Sequence, residues 1–420
     1  MYKFIDDIKS VYSRHNISEK TPEPETPFEL SLDTNIQTIQ SRMNNTSDLT
    51  IHRLKLNGAD AAVISIDNLI NKDILAIAVI KPLFSYEFIG KMENSLEDIM
   101  YRILCVDDVT LIYSFEELYD YIMSGFAVIA LENCSSMLAV GIQGYQSRSI
   151  AEPESDVIQR GSREGFVEPL RTNITLIRRR MKNPDLTFEI MKIGKMSATE
   201  VCICYLKNTA SPAILDLLKK RLGSIDLNTV LAAGYLVPYL EENGRKSVFS
   251  TVGVTERPDT VVGKITEGRI AVIIDGVPSA LIVPYLFAEY FQTLDDYSNK
   301  PYFAAFTRWL KYTAFFLSIM LPGLFTALGT FNPEMFPSLL LNKIAGSIGA
   351  TPFSLMSETL LILIVYEVMR ESGLRMPQPL GYAVSIVGGL VIGDTAVNAG
   401  LLGAHSYGSR NIRYLLLYCS

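Results

Sequence analysis

The chain changes character at Phe303. Up to that point charged residues recur every few positions, and beyond it come three long apolar stretches, 303–328, 353–369 and 382–404. Each is close to the roughly 20 residues an α-helix needs to cross a hydrocarbon core of about 30 Å. The pattern predicts an α-helical multi-span membrane domain over 291–404, with three spans at those positions. Between the first two, Met335, Phe336, Leu339, Leu340, Ile344 and Ile348 recur at helical spacing, which predicts an interfacial or re-entrant segment over 332–351.

The region before Phe303 has the periodicities of a water-facing fold. Residues 1–55 read as a polar, partly disordered leader containing the spacer Thr21-Pro22-Glu23-Pro24-Glu25-Thr26-Pro27. From Leu56 to about Pro284, β-rich runs alternate with amphipathic helical runs. Strands are predicted at 61–66, 127–132, 137–142, 186–193, 200–206, 269–274 and 279–283, and helices at 73–80, 115–123, 165–181 and 212–222. The alternation predicts an α/β cytoplasmic domain of two lobes, 56–145 and 146–290, broken near 144–163.

A length of 420 residues exceeds one compact core. The net charge of −7 argues against a nucleic-acid partner, which needs a clustered basic surface. The runs Arg178-Arg179-Arg180 and Lys219-Lys220-Arg221 follow amphipathic patterns and read as solvated helix ends. Cys105, Cys134, Cys202, Cys204 and Cys419 include no CxxC spacing. His15, His52 and His405 neighbour no nucleophile, and no Walker loop, GxGxxG or HExxH is present. No catalytic residue, metal or cofactor is expected, and the chain does not read as an enzyme.

Orientation follows from charge. Residues 1–18 carry Asp6, Asp7, Lys9 and Arg14 and lack the apolar core of a signal peptide. Lys300, Arg308 and Lys311 flank the first span and Arg370 and Arg375 follow the second, which puts the N-terminal domain on the cytoplasmic side. Ionisable residues at bilayer depth cost roughly 2.5–3.5 kcal/mol on insertion scales and normally face protein or water. Glu358, Asp394 and Glu367 are therefore the candidates for an ion path, although Glu367 could instead snorkel beside Arg370. Small residues from Gly388 to Gly403 suit close helix packing.

Several motifs then occur in order: Arg148-Ser149-Ile150-Ala151-Glu152-Pro153, Gly165-Phe166-Val167-Glu168, Thr172-Asn173-Ile174, Thr255-Glu256-Arg257-Pro258-Asp259, Asp275-Gly276-Val277-Pro278, Asp295-Asp296-Tyr297, Arg375-Met376-Pro377 and 383–394. Together they resemble the A subunit of GerA-type spore germination receptors, from about Leu56 to Gly403. The resemblance implies a multi-pass protein of the spore inner membrane. Its implied partners are a transporter-like B subunit that holds the germinant, a C-subunit lipoprotein, membrane lipid and further copies of itself, the copies forming a nutrient-gated ion channel. A non-conducting membrane scaffold that docks the B and C subunits is the alternative.

Within that frame Thr255, Glu256, Arg257, Pro258 and Asp259, with Asp295 and Asp296, are the candidates for coupling the soluble domain to the first span. Pro258 stiffens the joint, and a structural Arg257/Asp259 salt bridge is the competing reading. A ring of Glu358 or Asp394 from several subunits would favour cations. Two departures from the family pattern stand out. Arg160-Gly161-Ser162 replaces the usual Gly-Pro pair, and 405–420 is a polar, atypical tail where the family continues with apolar helices. Read one base over with permitted codons, 405–411 gives His-Met-Val-Ala-Val-Ile, so a frameshifted, truncated product is expected. The coding DNA around codon 405 tests this.

Overall fold

The computed structural model describes residues 26–56, 59–85, 95–144, 153, 156, 161–241, 249–293, 296, 299–338, 341–342, 345–346 and 352–374. The chain divides into two compact units, Met1–Phe287 and Ala288–Ser420.

The first unit contains two five-stranded sheets with every pairing antiparallel. Lobe 1 runs α1 (Leu32–Arg42), β1 (Leu49–Leu56), β2 (Ala59–Ile66), β3 (Val109–Ile112), α2 (Phe115–Met123), β4 (Phe126–Leu131) and β5 (Met137–Gly141). Between β2 and β3 a helix starts at Lys72–Ile74 and widens into a π-helical turn at Leu75–Ile80. Lobe 2 runs α3 (Leu170–Arg180), β6 (Leu186–Ile193), β7 (Thr199–Leu206), α4 (Pro212–Gly223), β8 (Gly253–Thr255), α5 (Pro258–Thr266), β9 (Ile270–Ile274) and β10 (Ala280–Val283).

Each sheet is covered on both faces, so its central strands are apolar on both sides. β2 sends Ala62, Ile64 and Ile66 to the core under α1 and α2, and Ala61 and Val63 to the opposite core. β7 divides Cys202 and Cys204 from Val201 and Ile203 in the same way. That two-sided burial is why these strands read as continuous apolar runs.

The lobes are an internal repeat. Strand order is β1-β2-β4-β5-β3 in one and β6-β7-β9-β10-β8 in the other, the same order twice. α1 (LDTNIQTIQSR) and α3 (LRTNITLIRRR) share Leu, Thr, Asn, Ile, Ile and Arg at matching positions. Buried Asn35 accepts from Glu29 N (2.9 Å) and donates to Glu29 O (2.6 Å). Asn173 does the same with Val167, at 2.9 and 2.5 Å. The first amide of each helix donates to an acid from the turn after the fourth strand: Leu32 to Glu132 (2.8 Å) and Leu170 to Asp275 (3.0 Å). Gly125 and Gly268 follow α2 and α5 at φ +87° and +89°, where a side chain would be strained.

Residues 26–55, expected to belong to a loose leader, are part of lobe 1. Leu32, Ile36 and Ile39 lie one helical turn apart and are buried, and Ser31 caps the helix through Thr34 N. The expected helix 165–181 starts at Leu170 because Pro169 occupies its N-cap.

In the second unit α6 (Pro301–Phe331) contains the expected first span 303–328, and is followed by a 3₁₀ turn at Pro333–Met335 and by α7 (Leu355–Leu374). Among the described residues α6 alone is long and apolar enough to cross a membrane. α7 stands where the second span is expected, but Glu358, Glu367, Arg370 and Glu371 lower its apolarity. Much of 339–351, the third span 382–404 with Asp394, and the tail 405–420 lie outside the described residues, as do Asp295 and most of 144–163.

Candidate functional site

The segment Thr255–Asp259 forms the end of β8 and the start of α5. Arg257 is 3% exposed and is held by Asp259 through Nε (3.0 Å) and Nη2 (2.5 Å). Its Nη2 also donates to Ser162 O (2.6 Å) and its Nη1 to Asp156 O (3.3 Å). Thr255 Oγ1 donates to Asp156 Oδ2 (2.6 Å), which also accepts from Glu256 N (3.1 Å). Pro258 opens the helix at its first turn, where the missing N–H costs nothing. These residues fasten the segment entering lobe 2. In lobe 1, Glu116 of α2 fastens Thr26 at 2.9 and 2.8 Å.

Beside this clamp, Glu164 accepts from Arg179 Nη2 at 2.5 and 2.7 Å and pairs with Arg180. Burial works to raise its carboxyl, but the bonds and charges of Arg179 and Arg180 outweigh that and hold it below the ordinary range. At Glu116 burial is likewise outweighed by the bonds from Thr26.

The first arginine of the basic run faces inward. Arg178, expected on a solvated helix end, is 0% exposed at the junction of the lobes. Its Nε and Nη2 donate to Asp48 (2.8 and 3.0 Å), Nη2 also to Leu186 O (2.9 Å), and Nη1 to Asn183 O (3.1 Å). The guanidinium lies 4.9 Å from the Phe188 ring centroid. Ser47 N and Oγ donate to Phe188 O, and Phe188 N donates to Thr46 Oγ1, so backbone and side chain join the lobes together. A cavity of about 300 Å³ opens near this junction, between Asn68, Asn71 and Lys72 of lobe 1 and Thr172 and Thr175 of α3. The sequence reading missed this junction. Its signal was the repeated Leu-x-Thr-Asn-Ile-x-x-Ile-x-x-Arg pattern.

In the second unit Asp296, 7% exposed, accepts from Arg308 Nε (2.9 Å) and lies 3.8 Å from Lys311 Nζ. The proposed coupling path thus has its described residues in two separate units, Thr255–Asp259 in one and Asp296 in the other. Glu358 is fully buried, whereas Glu367 is exposed and paired with Arg370.

No group of three or more His, Cys, Asp or Glu among the described residues is placed to hold a metal ion. Burial pushes the thiols of Cys202 and Cys204 well above their usual range, which keeps them protonated and unreactive.

The fold defines a class: a two-lobed repeated α/β platform with a helix of membrane-crossing length after it. Residues 37–406 match the family described as Bacillus/Clostridium GerA spore germination protein. The chain belongs to that family. It is 37% identical over 375 residues to spore germination protein KA of Bacillus subtilis strain 168, covering 89% of this chain and 69% of that protein. It is 31% identical to the uncharacterized membrane protein YfkQ of the same organism, covering 92% and 75%. The crystal structure of the N-terminal domain of the A subunit of the Bacillus megaterium spore germinant receptor GerK3 matches with a TM-score of 0.50 and 28% identity, over 63% of this chain and 99% of that one.

Proposed function

We propose that this chain is the A subunit of a nutrient receptor that triggers spore germination, and that several copies form the ion-conducting oligomer of the complex. The carrying observation is the likeness to the GerK3 A-subunit domain over nearly its full length. The B subunit holds the germinant and the C lipoprotein completes the complex. The α/β platform is cytoplasmic and the following unit is a multi-pass domain of the spore inner membrane, as the basic residues at Lys300, Arg308 and Lys311 favour. YfkQ, a membrane protein by name, supports the location. The work is signalling and carries no catalytic step.

Reconstitution of the chain with its B and C partners, followed by current recording, tests this. Nutrient-dependent current is expected. Assembly of all three subunits without current would favour the non-conducting scaffold instead. The cavity beside the lobe junction favours a second reading, direct nutrient binding to the platform. Calorimetric titration of the detergent-solubilised full chain with nutrient mixtures would expose it, and absence of heat would remove it.

A further inference from the structure

The helix α6 is longer than a bilayer needs. Its 31 residues rise about 46 Å, against a hydrocarbon core of roughly 30 Å. The excess is gathered at the start, where the two faces of the helix differ. One face carries Arg308 and Lys311, and Ala288, Phe291, Thr293 and Asp296 from the preceding chain meet it and the turn that follows. Asp296 binds Arg308 at 2.9 Å and approaches Lys311 at 3.8 Å, while Lys311 Nζ donates to Thr293 Oγ1 at 3.2 Å. One turn further, the Phe291 ring sits 4.4 Å from Tyr312 and 5.3 Å from Phe315, and the Tyr312 hydroxyl donates to Ala288 O at 3.4 Å. The other face presents Tyr302, Phe306 and Trp309, spaced one helical turn apart and 84%, 57% and 63% exposed.

From Tyr312 to Phe331 there is no Asp, Glu, Lys, Arg or His, and that stretch alone rises about 30 Å. A guanidinium and an ammonium are costly in hydrocarbon and stable among headgroups. Aromatic rings with an apolar body and a polar edge favour the same layer.

We propose that residues 306–311, which rise about 9 Å, lie in the lipid headgroup layer, with Phe306 and Trp309 as the lipid-facing anchor and Ala288, Phe291, Thr293 and Asp296 covering the charged face. Hydrocarbon then begins at Tyr312, not at residue 303 as the apolar pattern alone predicts. The inference rests on the reading that α6 crosses a bilayer.

Trp309 is the one tryptophan of the chain, so it reports on its own depth without labelling. The full chain is reconstituted in phosphatidylcholine vesicles carrying nitroxide lipids, labelled either at the headgroup or near the bilayer centre. Headgroup nitroxide is expected to quench Trp309 about twofold more than the central one. In a Trp309→Phe, Met320→Trp chain the order should invert, because Met320 is an exposed position within the 312–331 stretch. Stronger quenching of Trp309 by the central label, or equal profiles at the two positions, overturns the boundary while leaving the crossing intact. Full access of aqueous iodide to both tryptophans, with no nitroxide quenching, overturns the crossing itself.

Discussion

Arg178 shows how one side chain can decide a junction that its neighbours do not reveal. Three successive arginines on a helix point about 100° apart, so one of them must turn toward whatever the helix packs on. Arg179 and Arg180 meet Glu164 on the partly exposed side, while Arg178 enters the dry joint between lobes. A buried guanidinium is tolerable only when its donors are matched, and Asp48 with two backbone carbonyls matches them. Arg178→Ala strands the Asp48 carboxylate and should destabilise the two-lobed unit by about 3–5 kcal/mol. The Arg178→Ala, Asp48→Ala double variant should lose clearly less than the sum of the two singles. Urea unfolding of the full chain in detergent, followed by circular dichroism, measures both. A loss below about 1 kcal/mol for the single change would show that the joint does not depend on this pair.

Elements with two buried faces were legible in sequence, and elements at the margins were not. β4, β5 and β7 read as strands because their alternating sides both pack against apolar layers. α1 and β1 were hidden because Asp33, Gln37, Gln40, His52, Arg53 and Lys55 on their exposed sides dilute the apolar positions. β8 was missed because three residues at a sheet edge carry no periodicity. The clamp residues Arg257 and Asp259 were visible as a charged pair, but their partner Ser162 O is a backbone group that no side-chain pattern announces. Glu164 fastens the same segment, and its depressed carboxyl makes the fastening acid-sensitive. A group with a lowered folded-state value stabilises above its unfolded value and loses that contribution as pH falls through the folded value. Stability should therefore drop as pH falls below 4.5, the ordinary value for this carboxyl, and Glu164→Gln should flatten that part of the profile. Urea midpoints across acidic pH test it. An unchanged acid limb in the variant would assign the sensitivity elsewhere, with Glu116 the next carboxyl to replace.

At the scale of the whole chain, the platform and the acids Glu358 and Glu367 belong to separate compact units, so the conduction proposed above rests on the second unit by itself. There the acids differ in kind. Glu367 is exposed and neutralised by Arg370 one turn on, the pairing expected of a side chain near a helix end. Glu358 is fully enclosed, on the α7 turn whose Thr359 bonds Thr326 of α6 at 3.4 Å. A buried carboxylate can shape a path only if assembly or gating brings water to it, so its replacement should alter current where Glu367 does not. In a reconstituted homologous complex, Glu358→Gln and Asp394→Asn are expected to reduce cation over anion selectivity, and Glu367→Gln to leave it unchanged. Reversal potentials in asymmetric salt provide the measurement. Unchanged selectivity in both Glu358→Gln and Asp394→Asn would remove these acids from the pore and leave the buried position of Glu358 as a packing feature of α7.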